Sequence, residues 1–592
     1  MCAGCGIADN KRAHRVPRRT SRLNRDLAGW AAAALWLLLA PGAANLGWAQ
    51  APPLPSGVLP SQEPLPTPEF RKPPPETLQL PEVKPPEPER APTALRVVVR
   101  KIRITGNTAI PGSELEKIAA PFENRELTNT DLEELRQRLT QHYVSRGYIN
   151  SGAVIPDQNI VDGVVEMRIV EGRLTRTDIE GTVHFHKDYF SDRIALSTGP
   201  PLNLRELEQR LQILLTNPMV KSINAQLAPG ERPGEAVLKA RVEEAPRYEI
   251  GVLADNKLAP SLGDVKLTLL GAVNNLIGRG DQLGAEFGFA EGIPHDLRLR
   301  YRTPITARDT ALGVHYEKTK AIVQEEPFDV LDITSTLETI GIELSHPVYR
   351  TQNRQLVLSS VLERRETETT LLGVPFSFSP GVEDGKATVS VLRLAADYLD
   401  RGRIQVIAAR STISIGLDAF DSTINAGAPD SRFVTWLNQF QWVRRLSEKR
   451  GDQIRLRADL QLTNDALLPV EQYAVGGLDS VRGYRSFQLL RDYGYTASLE
   501  YRIPVFANAT GWRNLQFAAY VDTGGARFKE RDNPSPSNLT GVGVGVIWSP
   551  LREVFAELYF AKGLDDVPEP PSSSLQDESL YFRLIYRPAW LP

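Results

Sequence analysis

A chain of 592 residues and 65.6 kDa is several times longer than one ordinary domain, so it holds more than one folding unit unless part of it is a large barrel. Hydrophobic residues make up 41% and charged residues 24%, with 69 Lys and Arg against 72 Asp and Glu, which excludes disorder throughout and a basic, nucleic-acid-binding surface. Both cysteines, Cys2 and Cys5, lie at the extreme N-terminus, which excludes a disulfide scaffold or a Cys-rich zinc site in the body.

In chain order, a basic stretch from Lys11 to Arg25 precedes the apolar run Leu27 to Ala40, and Gly47-Trp48-Ala49 puts small residues where a signal peptidase reads. The run is shorter than the roughly 20 residues a spanning helix needs, so residues 1–49 read as an export signal. Taking away its seven basic and two acidic residues leaves 62 and 70, a net charge of −8, and no cysteine, which suits an oxidising compartment. Residues 50–95 read as an extended linker, because fifteen prolines between 51 and 95 favour polyproline II and deny a regular ladder of hydrogen bonds.

Two similar blocks follow, at 96–173 and 174–246. The first has a strand at 97–104, helices at 110–119 and 128–146, and strands at 151–155 and 163–170. Its long helix carries Leu132, Leu135, Leu139 and Tyr143 at helical spacing and stops at Gly147. The second block repeats the order with a strand near 175–179, helices at 187–196 and 204–215, and strands at 223–227 and 236–242. Each is a small α/β unit whose short sheet has exposed edges able to accept an extended peptide.

From 247 to 592 helical periodicity disappears, and segments of about ten residues alternate apolar with polar or small residues, the signature of a transmembrane β-barrel. Sixteen segments fit, from 247–255 to 578–587, with 453–463 and 493–502 eleventh and twelfth, 514–522 thirteenth and 540–548 fourteenth. The longest connection, 464–492, joins the eleventh and twelfth. On the thirteenth, Phe517, Ala519 and Val521 share the lipid face, and Gln516, Tyr520 and Asp522 the lumen face. On the fourteenth, Gly541, Gly543 and Gly545 share one face with Val542, Val544 and Val546 on the other, and glycines toward the lumen make room there.

The loop 464–492 contains Gly476-Gly477-Leu478-Asp479-Ser480-Val481-Arg482-Gly483-Tyr484. From about residue 96 to the C-terminus the chain resembles the haemolysin-activator (ShlB/FhaC/HecB) family, outer-membrane transporters of two-partner secretion related to the barrel-assembly protein BamA. The resemblance makes the two blocks polypeptide-transport-associated (POTRA) domains, with Tyr143-x-x-Arg146-Gly147-Tyr148-Ile149 and Val170-Glu171-Gly172-Arg173-Leu174 in the expected places. It makes Val481, Arg482, Gly483 and Tyr484 the tip of a loop folded into the barrel, and Tyr520-Val521-Asp522-x-Gly524 the motif that meets it. A loop so folded lays Arg482 against Asp522 as a bidentate ion pair, with Gly483 letting the backbone turn.

The implied function is an outer-membrane protein translocase of a Gram-negative-type bacterium. Its POTRA domains lie in the periplasm and recognise a secreted exoprotein, unfolded there, and its barrel sits among outer-membrane lipids and exports that partner. The family often begins its mature chain with a pore-plugging helix, for which residues 51–95 are too rich in proline. Two rivals stay open: an assembly or plastid-envelope import factor of the same superfamily, and a passive porin, which needs no POTRA unit. No enzyme is expected, since no nucleophile elbow, P-loop or metalloprotease helix occurs. No cofactor, metal or nucleic acid is expected either: His184 and His186 have no adjacent third ligand, and Gly541 to Gly545 alternate at strand period with no nucleotide-loop context.

Overall fold

The computed structural model describes residues 65, 70, 96–427, 429–506, 513–568 and 573–588; the export signal of 1–49 and, apart from Leu65 and Phe70, the Pro-rich segment lie outside them. The first block contains β1 (Arg96–Val99), β2 (Lys101–Thr105), α1 (Gly112–Ala119), β3 (Arg125–Thr128), α2 (Asn129–Ser145), β4 (Gly152–Val154) and β5 (Val164–Val170). The single strand expected at 97–104 is two strands. The N–H groups of Arg100 and Lys101 both donate to the Gly163 carbonyl, at 2.7 and 3.2 Å, so the chain changes partners there. β1 pairs with β3, and β2 runs parallel to β5. β3 was not expected, because Arg-Glu-Leu-Thr carries no periodicity to show it.

α2 begins at Thr128 with a capping box: the Asp131 N–H donates to the Thr128 hydroxyl at 3.2 Å, and the Asp131 carboxylate accepts from the Thr128 N–H at 2.7 Å. Its buried stripe of Leu132, Leu135, Leu139 and Tyr143 packs on Ile102, Val165, Met167 and Ile169 of the sheet. The second block consists of β6 (Arg173–Glu180), α3 (Lys187–Ala195), α4 (Leu204–Leu214), β7 (Val220–Pro229) and β8 (Glu235–Glu244), in sheet order β6-β8-β7. It has its own core around Phe190, Leu207, Leu211 and Leu238.

The two blocks repeat down to single atoms. Gly106 and Gly181 follow the first long strand of each sheet with φ near +81° and +82°, and a side chain on either would run into the carbonyl of Ile169 or Val242 on the neighbouring strand. Two residues beyond those carbonyls stand Glu171 and Glu244. The Glu171 carboxylate accepts from the N–H groups of Thr108 and Ala109 at 2.7 and 2.8 Å, and from the Tyr143 hydroxyl at 3.0 Å. The Glu244 carboxylate accepts from the N–H groups of Val183, His184 and Phe185 at 2.7, 3.0 and 3.0 Å. Each carboxylate satisfies the loop that leaves the first strand, where the backbone has no ladder partner.

Sixteen antiparallel strands then close a barrel, the sixteenth (Leu580–Tyr586) pairing with the first (Tyr248–Asp255). All sixteen expected segments are present, with a two-residue addition, Val374–Pro375, pairing beside the seventh strand (Arg354–Leu371). Lipid-facing Phe517 and Val521 are 53% and 42% exposed, whereas Tyr520 and Asp522 on the same strand are buried toward the lumen. The second block seats on turns of the barrel. The His186 N–H donates to the Gly278 carbonyl at 2.9 Å, and Arg193 of α3 and Arg350 of the barrel wall share the Asp309 carboxylate at 2.9 and 2.8 Å. His184 bonds Glu244 through its ring at 3.1 Å and Phe185 enters the core of its block.

Candidate functional site

Residues 464–492 leave the eleventh strand (Gln453–Thr463), form a short hairpin of Tyr473–Val475 against Leu489–Arg491, and return to the twelfth strand (Tyr493–Pro504). Between the hairpin arms the chain turns inward. Val481, Arg482 and Tyr484 are all buried among barrel residues, which a solvated extracellular loop would not be.

The Arg482 guanidinium meets the Asp522 carboxylate twice, Nε to Oδ2 at 2.7 Å and Nη2 to Oδ1 at 2.9 Å, and the Arg482 backbone N–H adds a third bond to Oδ2 at 3.2 Å. Asp522 projects inward from the thirteenth strand (Leu515–Arg527). The remaining guanidinium donors reach Glu500 at 2.8 Å and Ser498 at 3.2 Å on the twelfth strand. The guanidinium also lies 3.3 Å from the ring centre of Tyr520 and 4.6 Å from that of Tyr559. A planar fork that bonds two carboxylates and stacks on aromatic rings is a geometry lysine cannot copy.

Around this pair the wall is shaped to admit the loop. A side chain at Gly541 would collide with the Arg482 carbonyl, so the loop backbone lies directly on the fourteenth strand (Asn538–Leu551). Gly543 and Gly545 serve differently: they receive the rings of Tyr520 and Tyr559, which flank Arg482. Gly524 packs against Val475 in the loop hairpin and not against the tip. Gly483 has φ +100° and lies on the backbone of Lys562 and Gly563, so both its conformation and its space require glycine. The Gly483 N–H donates to the Tyr581 hydroxyl at 3.0 Å, which itself donates to the Tyr484 carbonyl at 2.8 Å. The Tyr484 hydroxyl donates to the Thr540 carbonyl at 2.8 Å.

Sequence reasoning missed Glu500 and a second anchor at the loop's base. Glu471 accepts from Arg365 at 3.0 Å on the seventh strand, and from Arg393 at 2.8 and 3.1 Å on the eighth strand (Lys386–Arg401), and it is buried. Asp479 bonds Arg583 at 3.1 Å, and Arg485 bonds Asp577 at 2.7 Å. Glu500 shares the lumen face with Ser498 and Arg502, so strand parity marked it; nothing local marks Glu471, whose partners stand 106 and 78 positions away. Two residues of the Pro-rich segment also meet the barrel. The Gln441 side-chain amide donates to the buried Leu65 carbonyl at 2.7 Å, and the Arg445 guanidinium lies 4.2 Å from the centre of the Phe70 ring.

Residues 97–172 match the model of the ShlB-type POTRA domain, and residues 234–547, more than half of the chain, match that of the haemolysin secretion/activation protein ShlB/FhaC/HecB. The chain belongs to that family. It is 26% identical over 473 residues to the outer membrane transporter CdiB of Dickeya dadantii (strain 3937), covering 76% of this chain and 79% of the relative. It is 22% identical to the heme/hemopexin transporter protein HuxB of Haemophilus influenzae (strain 86-028NP), covering 78% of this chain and 82% of that one. Among solved structures, CdiB from Escherichia coli superposes with a TM-score of 0.64 at 21% identity, covering 85% of this chain and 92% of that chain. BamA from Haemophilus ducreyi lacking POTRA domains 1-3 gives 0.53 at 14%, covering 83% and 99%, a likeness of fold. The protein is therefore an outer-membrane transporter of the two-partner secretion type, a barrel with periplasmic POTRA domains.

Proposed function

We propose that the protein captures one secreted exoprotein, unfolded in the periplasm, on POTRA domains at 96–173 and 174–246, and passes it through the barrel of 247–592 to the cell surface. The observation that carries this reading is the loop 464–492 held inside the lumen by Arg482 on Asp522, in a barrel preceded by two small α/β blocks. The edge of β7 carries no further strand among the described residues and can pair with an extended chain, and the apolar residues Val154, Ile155 and Val161 are exposed on and beside β4. Main-chain pairing beside apolar contacts suits a partner with no fixed side-chain geometry. Val481, Gly483 and Tyr484 fix the tip, Gly541 makes the space it needs, Gly543 and Gly545 receive the rings that flank Arg482, and Gly524 gives room to the loop hairpin. No catalytic step, cofactor, metal or nucleic acid enters this reading.

The test is secretion of a large, repeat-rich exported protein encoded beside this gene, in cells with and without the transporter. Surface appearance only when the transporter is present is the expected result. Equal secretion without it would overturn the reading and favour an assembly factor or a passive porin.

A further inference from the structure

The inward-folded loop fills only part of the lumen. Its bonds run to the seventh, eighth, eleventh, twelfth, thirteenth and sixteenth strands through Glu471, Ser480, Arg482 and Asp479, its backbone lies on the fourteenth at Gly541, and it reaches the connections after the first and fifth strands through Asp479 on Lys257 and Arg485 on Glu325. Against the first six strands lies instead a cavity of about 430 Å³. Gly251, Gly284 and Gly313 line it, with Glu286, Arg300 and Glu343 presenting both signs of charge.

Gly541 on one wall and Gly284 on the other differ in kind, although Gly251 on the open wall packs on the Tyr586 carbonyl and the Arg587 side chain at 3.1 Å. At Gly541 an added Cβ would strike the Arg482 carbonyl, so glycine there is demanded by the loop. At Gly284 an added Cβ would meet only the Arg300 carbonyl, at 3.9 Å, so packing does not demand glycine and its effect is to leave space. The cavity also lies at the end of the barrel where the second POTRA domain is seated. That domain is held to the turn between the second (Lys266–Asn274) and third (Gln282–Ala290) strands through Gly278. It is held to the turn between the fourth (Ile293–Pro304) and fifth (Ala311–Ile322) through Asp309. Both turns border the open wall.

We propose that the wall of the first six strands is the track along which the exported partner crosses the barrel, as an extended and unfolded polypeptide delivered from the second POTRA domain. Opposed charged side chains offer hydrogen bonds and solvation to any sequence, and the glycines between them leave room without a large apolar side chain on which a client residue would stick. The wall carrying the loop anchors the tip while the opposite wall conducts. This rests on the transport reading above.

Disulfide trapping tests it in the full-length protein, which has no cysteine beyond Cys5. Single cysteines are placed by Gln282→Cys and Arg300→Cys on the open wall, and by Gln439→Cys on the tenth strand (Val434–Arg445). The probe is the exported protein of the secretion assay, carrying one cysteine in its extended N-terminal part and a stably folded C-terminal domain that stalls it in transit. The expected result is cross-linking at positions 282 and 300 at least tenfold above that at 439. Secretion of the unstalled partner without cross-links at 282 and 300, or with cross-links concentrated at 439, overturns the proposed track while leaving the transport reading intact. Absence of secretion from the unsubstituted transporter overturns both.

Discussion

Arg482 of the inward loop and Asp522 of the barrel wall meet inside the lumen as a two-bond fork, at 2.7 and 2.9 Å, with Glu500 taking a further donor of the same guanidinium at 2.8 Å. The second carboxylate changes what a charge exchange should do. Arg482→Asp with Asp522→Arg restores the attraction but leaves the new carboxylate at 482 beside Glu500. The double exchange is expected to secrete the partner no better than Arg482→Asp alone, and adding Glu500→Gln should recover part of the activity. Quantifying exported partner per unit of barrel in the membrane checks both; rescue by the exchange alone would show that Glu500 does not act on position 482.

Gly541→Ala should disturb the loop where Gly284→Ala does not. The first substitution forces a methyl into the Arg482 carbonyl, and overpacking of this kind costs roughly 1–3 kcal/mol. The second projects into open space. Protease cleavage within 464–492 on intact cells should rise for Gly541→Ala only, with folded barrel unchanged in both.

Glu471→Gln should loosen the loop at its base. The change leaves Arg365 and Arg393 facing an amide where a buried carboxylate bonded both. Breaking a buried pair costs on the order of 3–5 kcal/mol, and a water-containing lumen reduces this. The heat-induced gel shift of the barrel should move to lower temperature, and secretion should fall; an unchanged transition would place little weight on this anchor.

A fragment of residues 96–246 should fold alone and stay soluble, because each block closes its own core and contributes no strand to the barrel. Burial pushes the Glu171 carboxyl up, but the N–H of Ala109, the hydroxyl and N–H of Thr108 and the Tyr143 hydroxyl outweigh it and hold it below its ordinary value. Glu244 is held down in the same way by the N–H groups of Phe185, Val183 and His184. Carboxyls depressed in the folded state add stability that is complete above the ordinary glutamate value of about 4.3 and lost as pH falls through the depressed value. Denaturant midpoints of the fragment should therefore drop below about pH 5, and Glu171→Gln should flatten that drop at a cost of roughly 1–2 kcal/mol near neutrality. An identical pH slope for the variant would mean the carboxylate is not coupled to folding.

The barrel was legible because lipid and lumen impose opposite chemistry on alternate residues: Phe517 against Tyr520, Val544 against Gly543. The α2 stripe and its Thr128 cap were legible for the same local reason. The division of 97–104 was not, since Val97, Val98 and Val99 continue into Arg100 with no breaker, and the cause is a carbonyl at Gly163. The tip motif pointed to Arg482 and Asp522. Glu471 on Arg365 and Arg193 on Asp309 are joined only when the barrel closes and the second POTRA domain seats, and no local pattern encodes either pairing.

Export is expected to depend on the loop tip being held on the lumen wall by Arg482. Secretion of the partner by Arg482→Ala, compared with the unsubstituted protein at matched surface abundance of folded barrel, tests it most directly. The barrel should insert normally, because sixteen strands of backbone hydrogen bonds do not depend on one loop contact. Secretion at least tenfold lower is the result predicted, and secretion at the unsubstituted rate would contradict that dependence.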